Sequence, residues 1–418
     1  MRPSESDRVF SPLTLLLAFQ VPLLILFLLV SRGAFFTAYG SQKAMSGLAL
    51  AYFALALAAY GLGALIGTRL PIPTRAVAQR SPEQTVRAMR FVVYVGLGVG
   101  ILAYILWFGL GVVKAGGPLA LLHAYASSPY YVHTTLLETV PGVTTLIELP
   151  IAAIALALAY GIYRERYVLA LIGIVVVFVL MRVVLDSSRL SLYELLVPLF
   201  YLFGRRWTRW RLLAMGAGFL AAFVAVFLIS DALRLHGFSI QARVFRLAGY
   251  YLNSINNGFV AAAHYSSATP LWANGQMLWK FPVLSDFISY QKVVHVDIGY
   301  VMDPYYEANG VSPAYTTFTL PGQLALDFGW LGVYIMSGVG LASGLFYRLA
   351  SLDPFYRAIY AVWLVGIVEL MRENYFATTA VAPIYLLFAV AYVVRRYAAS
   401  GRRSRVPQSE ADPDLAMP

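Results

Sequence analysis

The chain contains no cysteine. That absence excludes disulfide frameworks, thiolate metal sites and cysteine nucleophiles, while leaving the redox compartment undecided. Charge is scarce too: Asp, Glu, Lys and Arg supply 12% of the 418 residues, against 60% hydrophobic. So much apolar surface, at a mean hydropathy of +0.70, is more than a soluble protein of this length can hide. Acids are outnumbered 20 to 31 by bases, and the net charge of +11 would suit a nucleic-acid partner. The positions of the bases fit membrane topology instead, so no nucleic acid is expected and membrane lipids are the surrounding partners.

Apolar runs of spanning length fall near residues 12–30, 45–67, 91–113, 146–162, 167–184, 190–204, 212–230, 328–347, 357–372 and 375–394. The fold class is therefore an all-α polytopic membrane protein with about ten transmembrane helices. The first run is long enough to span and lacks a small-residue cleavage site, so no cleavable signal peptide is expected. With both termini in the cytoplasm, the inward segments and Arg357 hold 20 of the 31 Lys and Arg, and the outward ones hold 11. The short basic loops set this orientation, through Arg69, Arg75, Arg80, Arg87, Arg90 and the cluster Arg205, Arg206, Arg209, Arg211. Four regions follow: residues 1–230, an N-terminal bundle of about seven spans; 231–327, a large outward loop with amphipathic helices; 328–396, a C-terminal bundle of about three spans; and 397–418, a disordered tail.

Outward arginines near the apolar boundary are not needed for topology and call for another reason. The chain has Arg182, Arg189, Arg234, Arg243, Arg246 and Arg372 there. Guanidiniums converging on one cavity would hold a pyrophosphate without a metal; pairing with Asp186, Asp231 or Glu373, or contact with anionic lipid, is the plainer alternative. From Ser239 to Tyr265, residues Arg243, Arg246, Tyr250, Asn253, Asn257 and His264 recur at helical spacing, placing one polar stripe opposite Val244, Leu247, Tyr251 and Ile255. The stripe suits a sugar and phosphate surface, or equally an interfacial helix whose polar side faces water.

Candidate bases in the outward region are His264, His295, Asp297, Asp303, Glu307 and Asp327. Three spans carry an acid, Glu148, Glu194 and Glu369, and the simplest use of the last is pairing with Arg372. These acids would also serve a proton or ion path in a transporter. Gly61, Gly63, Gly67, Gly96, Gly98 and Gly100 lie inside spans, where close helix packing explains them better than a dinucleotide fingerprint.

Near the end of the outward region the chain reads Ser312, Pro313, Ala314, Tyr315, Thr316, Thr317, Phe318, then Asp327, Phe328, Gly329, Trp330, Leu331, Gly332 entering a span. This resembles the O-antigen polymerase family, in which a Thr-containing segment precedes an aspartate, aromatic and glycine run at a late transmembrane helix. The resemblance implies a bundle like that of the multispan GT-C glycosyltransferases, with its major periplasmic loop between spans seven and eight. It implies a metal-independent, cofactor-free polymerase in the bacterial inner membrane, joining undecaprenyl-pyrophosphate-linked oligosaccharides at the periplasmic face, with a chain-length regulator as a further partner. Arg189, Arg243, Arg246 and Arg372 would then bind the pyrophosphate, Tyr250, Asn253 and Asn257 the sugar, and His264, Glu307 or Asp327 would act as base. The competing expectations are an O-antigen ligase of the same layout and a lipid-linked glycan flippase. A metal-dependent enzyme using polyprenyl-monophosphate donors is disfavoured, because residues 31–44 contain no acid.

Overall fold

The computed structural model describes residues 8–72, 82–140, 142–185, 189–234, 239–264, 287, 308, 310, 317–378 and 380–400. Helix makes up 86% and no strand occurs among the described residues, as expected for a helical membrane protein. The principal helices are α1 (Pro12–Leu29), α2 (Arg32–Tyr39), α3 (Gly47–Arg69), α4 (Pro82–Ala115), α5 (Val143–Tyr160), α6 (Arg166–Leu185) and α7 (Arg189–Gly204). They continue with α8 (Arg209–Arg234), α9 (Ile240–His264), α10 (Leu320–Phe328), α11 (Leu331–Leu352), α12 (Pro354–Glu369) and α13 (Val381–Ser400). Several starts were written locally. Ser11, Ser46, Thr319 and Asp353 each accept a hydrogen bond from an amide of the first turn, and Pro follows Ser11 and Asp353 directly. Gly40 and Gly161 end α2 and α5 at φ of 67° and 76°, where a side chain would be strained.

Among the described residues, eight helices are long and apolar enough to cross a bilayer: α1, α3, α4, α5, α6, α8, α11 and α13 contain them. The other two expected spans correspond to α7 and α12, which have 16 residues each. At the rise of an α-helix they reach only about 24 Å, short of a typical hydrocarbon core. Both are nonetheless central, packing against one another and against α5. Pro198 lies inside α7.

The seam between α3 and α11 brings two backbones together. A Cβ placed on Gly63 would lie 2.0 Å from the Ser337 carbonyl oxygen, and one on Gly340 would lie 2.0 Å from that of Tyr60. Gly67 and Gly344 repeat the pattern one turn on, at 2.3 and 2.2 Å from the carbonyl oxygens of Leu341 and Ala64. Small residues four apart on facing helices give this close approach. Packing also accounts for Gly96 and Gly100, against Ala153 and Pro150, whereas Gly98 faces open space.

The region expected as an outward loop, 231–327, supplies two helices to the bundle. α9 packs on α1, α2, α3, α8 and α10, and every residue from Leu252 to Ala262 is buried. Its second half therefore has no face toward water, which removes the interfacial alternative for that half. α9 and α10 cross at glycines: a Cβ on Gly322 would sit 2.5 Å from the Gly258 Cα.

A buried ion pair joins α12 to α13. Asp353 caps α12 through Oδ1, 2.8 Å from the Phe355 amide, and binds Arg395 through Oδ2. Removing the cation strands a carboxylate that is 5% exposed. Arg395→Met should therefore cost about 3–5 kcal/mol. Thermal unfolding in detergent measures this. Arg396→Met, whose guanidinium donates to the hydroxyl of exposed Tyr392 and lies over its ring, should leave the midpoint nearly unchanged.

Candidate functional site

Two acid and guanidinium clusters sit on either side of α7, near its start. The first forms where α5 is broken. Its helical turns stop at Leu146 and resume at Leu149, so Glu148 lies in the interruption, 2% exposed. Arg182, in the last turn of α6, places Nη1 2.5 Å from Glu148 Oε1, and its guanidinium carbon is 5.9 Å from the Trp107 ring centroid. Glu194 on α7 interacts with Glu148, Arg182 and Tyr375. It is buried, and its Oε1 has no hydrogen-bond partner among the described residues.

The second cluster forms at the end of α12. Arg372 binds Glu369, expected from their three-residue spacing, and its Nη1 lies 3.4 Å from Glu373 Oε2. The other Glu369 oxygen accepts from the Tyr251 hydroxyl at 3.3 Å, which is 3.2 Å from the Tyr193 hydroxyl. Arg372 also lies over the Tyr250 ring at 5.7 Å. Glu373 follows the last turn of α12; burial lifts its carboxyl above the usual carboxylate range, with Arg372 opposing the shift and Glu369 adding to it. Tyr193 and Glu194 are consecutive, so α7 sends one side chain into each cluster.

α9 and α10 bring Thr317 to the second cluster. The Leu320 amide donates to the Leu370 carbonyl at 3.0 Å, fixing the start of α10 beside Glu369 and Arg372. Ser254 Oγ is 2.6 Å from Thr317 Oγ1, and Asn257 Nδ2 donates to the Thr317 carbonyl at 3.0 Å. Asn253 Nδ2 donates to the Gly249 carbonyl, and its buried Oδ1 has no hydrogen-bond partner among the described residues. Asp327 is buried in the last turn of α10.

The structure thus joins Arg372 and Tyr250, and places Arg246 and Arg243 one and two turns from Tyr250 on the same face of α9. Both arginines are partly buried. Asn253 and Asn257, expected to meet sugar, lie inside the bundle, where Asn257 holds the Thr317 segment. Arg189 begins α7, Arg234 ends α8 and His264 ends α9, but their side chains lie outside the described residues, as do Asp186, His295, Asp297, Asp303 and Glu307 entirely.

The sequence reading missed the Glu148 and Arg182 pair, and Asn256. Asn256 Oδ1 accepts from the Ala44 amide at 2.7 Å and its Nδ2 donates to the Gln42 carbonyl at 3.0 Å. Lys43 caps α1, donating to the Leu28 carbonyl at 3.1 Å and to the Val30 carbonyl. Burial, aided by Arg32, draws its ammonium below the ordinary lysine value. Among the described residues, no group of three or more His, Asp or Glu could hold a metal ion. Compared with family models, curated proteins and solved structures, the chain returned no match.

Proposed function

We propose that this chain is a membrane glycosyltransferase that polymerises undecaprenyl-pyrophosphate-linked oligosaccharide repeats at the periplasmic face of the bacterial inner membrane, with both termini cytoplasmic. The observation that carries this reading is the juxtaposition of Thr317 and α9 with the Arg372 cluster, tied by the Leu320 to Leu370 hydrogen bond. Thr317, the last threonine of the segment that resembles the polymerase family, and the Arg372 guanidinium meet at one place.

In the reaction, the anomeric carbon of the growing chain leaves its lipid pyrophosphate and forms a bond to an acceptor hydroxyl on a new lipid-linked repeat. The acceptor proton passes to a base, and undecaprenyl pyrophosphate departs with the bonding pair. Fixed guanidiniums balance the charge growing on the leaving group. Arg189, Arg243, Arg246 and Arg372 take that role, with Asp327, Glu307 or His264 as base. Tyr250 faces the sugar, while Asn253 and Asn257 act from inside the bundle, Asn257 by positioning the Thr317 segment.

Purified protein given a synthetic pyrophosphate-linked repeat, with and without chelator, should yield dimers and longer products in both cases. Absence of elongation under either condition would remove the reading. Arg243→Ala and Arg246→Ala should each lower polymer output at least about a hundredfold while inserting normally. Wild-type polymer length in both variants would exclude these arginines from the chemistry.

The intramembrane acids Glu148, Glu194 and Glu369 favour a second reading, a lipid-linked glycan flippase. Movement of labelled repeats into vesicles without bond formation identifies it. An O-antigen ligase differs genetically: its loss leaves no attached glycan, whereas loss of a polymerase leaves single capped repeats.

A further inference from the structure

The first cluster sets two buried acids against one cation. Glu148 and Glu194 are 2% and 1% exposed and interact with one another, and among the described residues Arg182 is the cation that faces them. Its Nη1 donates to Glu148 Oε1 at 2.5 Å, while Glu194 Oε1 receives no hydrogen bond from a described residue. Glu148 is held there by a break in α5. Pro150 has no amide hydrogen for the Leu146 carbonyl, and the Ile151 amide turns to the Glu148 carbonyl at 3.1 Å.

The other titratable groups around the pair are tyrosines. They are Tyr104 on α4, Tyr375 in the short turn ahead of α13, and Tyr385 on α13, which interacts with Tyr375. At the end of α12, Glu369 and Arg372 turn toward Tyr193 and Tyr251 instead. The second cluster also has two acids for one guanidinium, but there the further acid, Glu373, is 22% exposed. Glu194 has no such outlet.

An ionised carboxylate only accepts hydrogen bonds, so two of them in contact repel unless one carries a proton. With both ionised, the interior would hold a second negative charge for one guanidinium, and burying an unpaired charge is strongly unfavourable. A proton turns the pair into donor and acceptor and leaves one negative charge opposite Arg182. The Tyr375 hydroxyl supplies an independent sign of polar traffic at this point. It is buried beside Glu194, on a residue 1% exposed, and makes no hydrogen bond with a described residue, so it can donate to or accept from that carboxyl as the proton moves.

We propose that Glu148 and Glu194 together bind one exchangeable proton, which makes the first cluster a proton site inside the bundle. Uptake takes a proton from water and forms one O–H bond on a carboxylate oxygen; release breaks that bond and returns the proton to water. Intramembrane carboxylates are the groups through which helical bundles pass protons. The site stands apart from the polymerase reading and needs no glycan.

Full-length purified protein in detergent, near neutral pH, is compared by infrared spectroscopy in ordinary and heavy water. The wild type should show the carbonyl band of a protonated carboxylic acid, shifted to lower frequency in heavy water. Glu194→Gln and Glu148→Gln should each lose that band. Both should fold, because glutamine has the shape of a protonated glutamate and one acid remains for Arg182 in either variant. Absence of an exchangeable acid band from the wild type overturns the proposal whatever the variants do. So does a band that persists undiminished in both variants. No substrate enters the measurement, so its outcome is independent of whether lipid-linked repeats are elongated.

Discussion

Replacing Arg372 with Met should abolish polymer synthesis and lower stability by about 3–5 kcal/mol. Its guanidinium binds Glu369, which is fully buried, and approaches Glu373 at 3.4 Å. Without it, the bundle interior keeps a carboxylate and loses the charge that made burial tolerable. Stability and chemistry separate in the double variant Glu369→Gln/Arg372→Met. With Glu369 and Arg372 both neutral, folding should recover most of the loss, because isosteric removal of a buried pair is often neutral and the remaining acid, Glu373, is 22% exposed. Synthesis should stay absent, since no fixed cation remains there for pyrophosphate. Thermal midpoints of purified protein and polymer length from complemented cells measure the two effects. Normal polymer from the double variant would reduce Arg372 to a structural residue. An unchanged midpoint in the single variant would contradict the burial of the pair.

Gly340→Leu should prevent recovery of monodisperse protein. A Cβ at this position would already fall 2.0 Å from the Tyr60 carbonyl oxygen, and the obstructing atom is backbone. No rotamer change relieves such a contact. The helices must separate along the seam, at a cost of about 3 kcal/mol or more. Gly63→Leu on the facing helix should behave alike, against the Ser337 carbonyl oxygen. Gly98→Leu is the internal control, because nothing lies within 4 Å of a Cβ there. Equal yields from Gly340→Leu and Gly98→Leu would contradict the backbone contact between α3 and α11.

Different parts of this architecture were legible in the chain to different degrees. Hydropathy alone locates the long helices, because eight of them are apolar over a full bilayer thickness. The Glu369 and Arg372 pair could be read from its spacing within one turn. Glu148 and Arg182 are 34 residues apart on different helices, and no periodicity links such positions. α9 misled for another reason: polar residues on a helix look like a wet face. Asn253, Ser254, Asn256 and Asn257 span an arc of about 160° and so lie on one side of α9, and periodicity cannot tell a wet face from one buried among polar partners. Asn256 and Asn257 are then satisfied by the carbonyls of Gln42 and Thr317, contacts that only tertiary structure creates.

Pro198 of α7 lies four residues after Glu194. In an uninterrupted helix the amide at 198 would donate to the carbonyl at 194, and proline has no such hydrogen to give. The helix is thus articulated at the residue whose acid is buried. The weakest turn of α7 therefore falls between Glu194, which joins the first cluster, and the part of the helix that leads to Arg205.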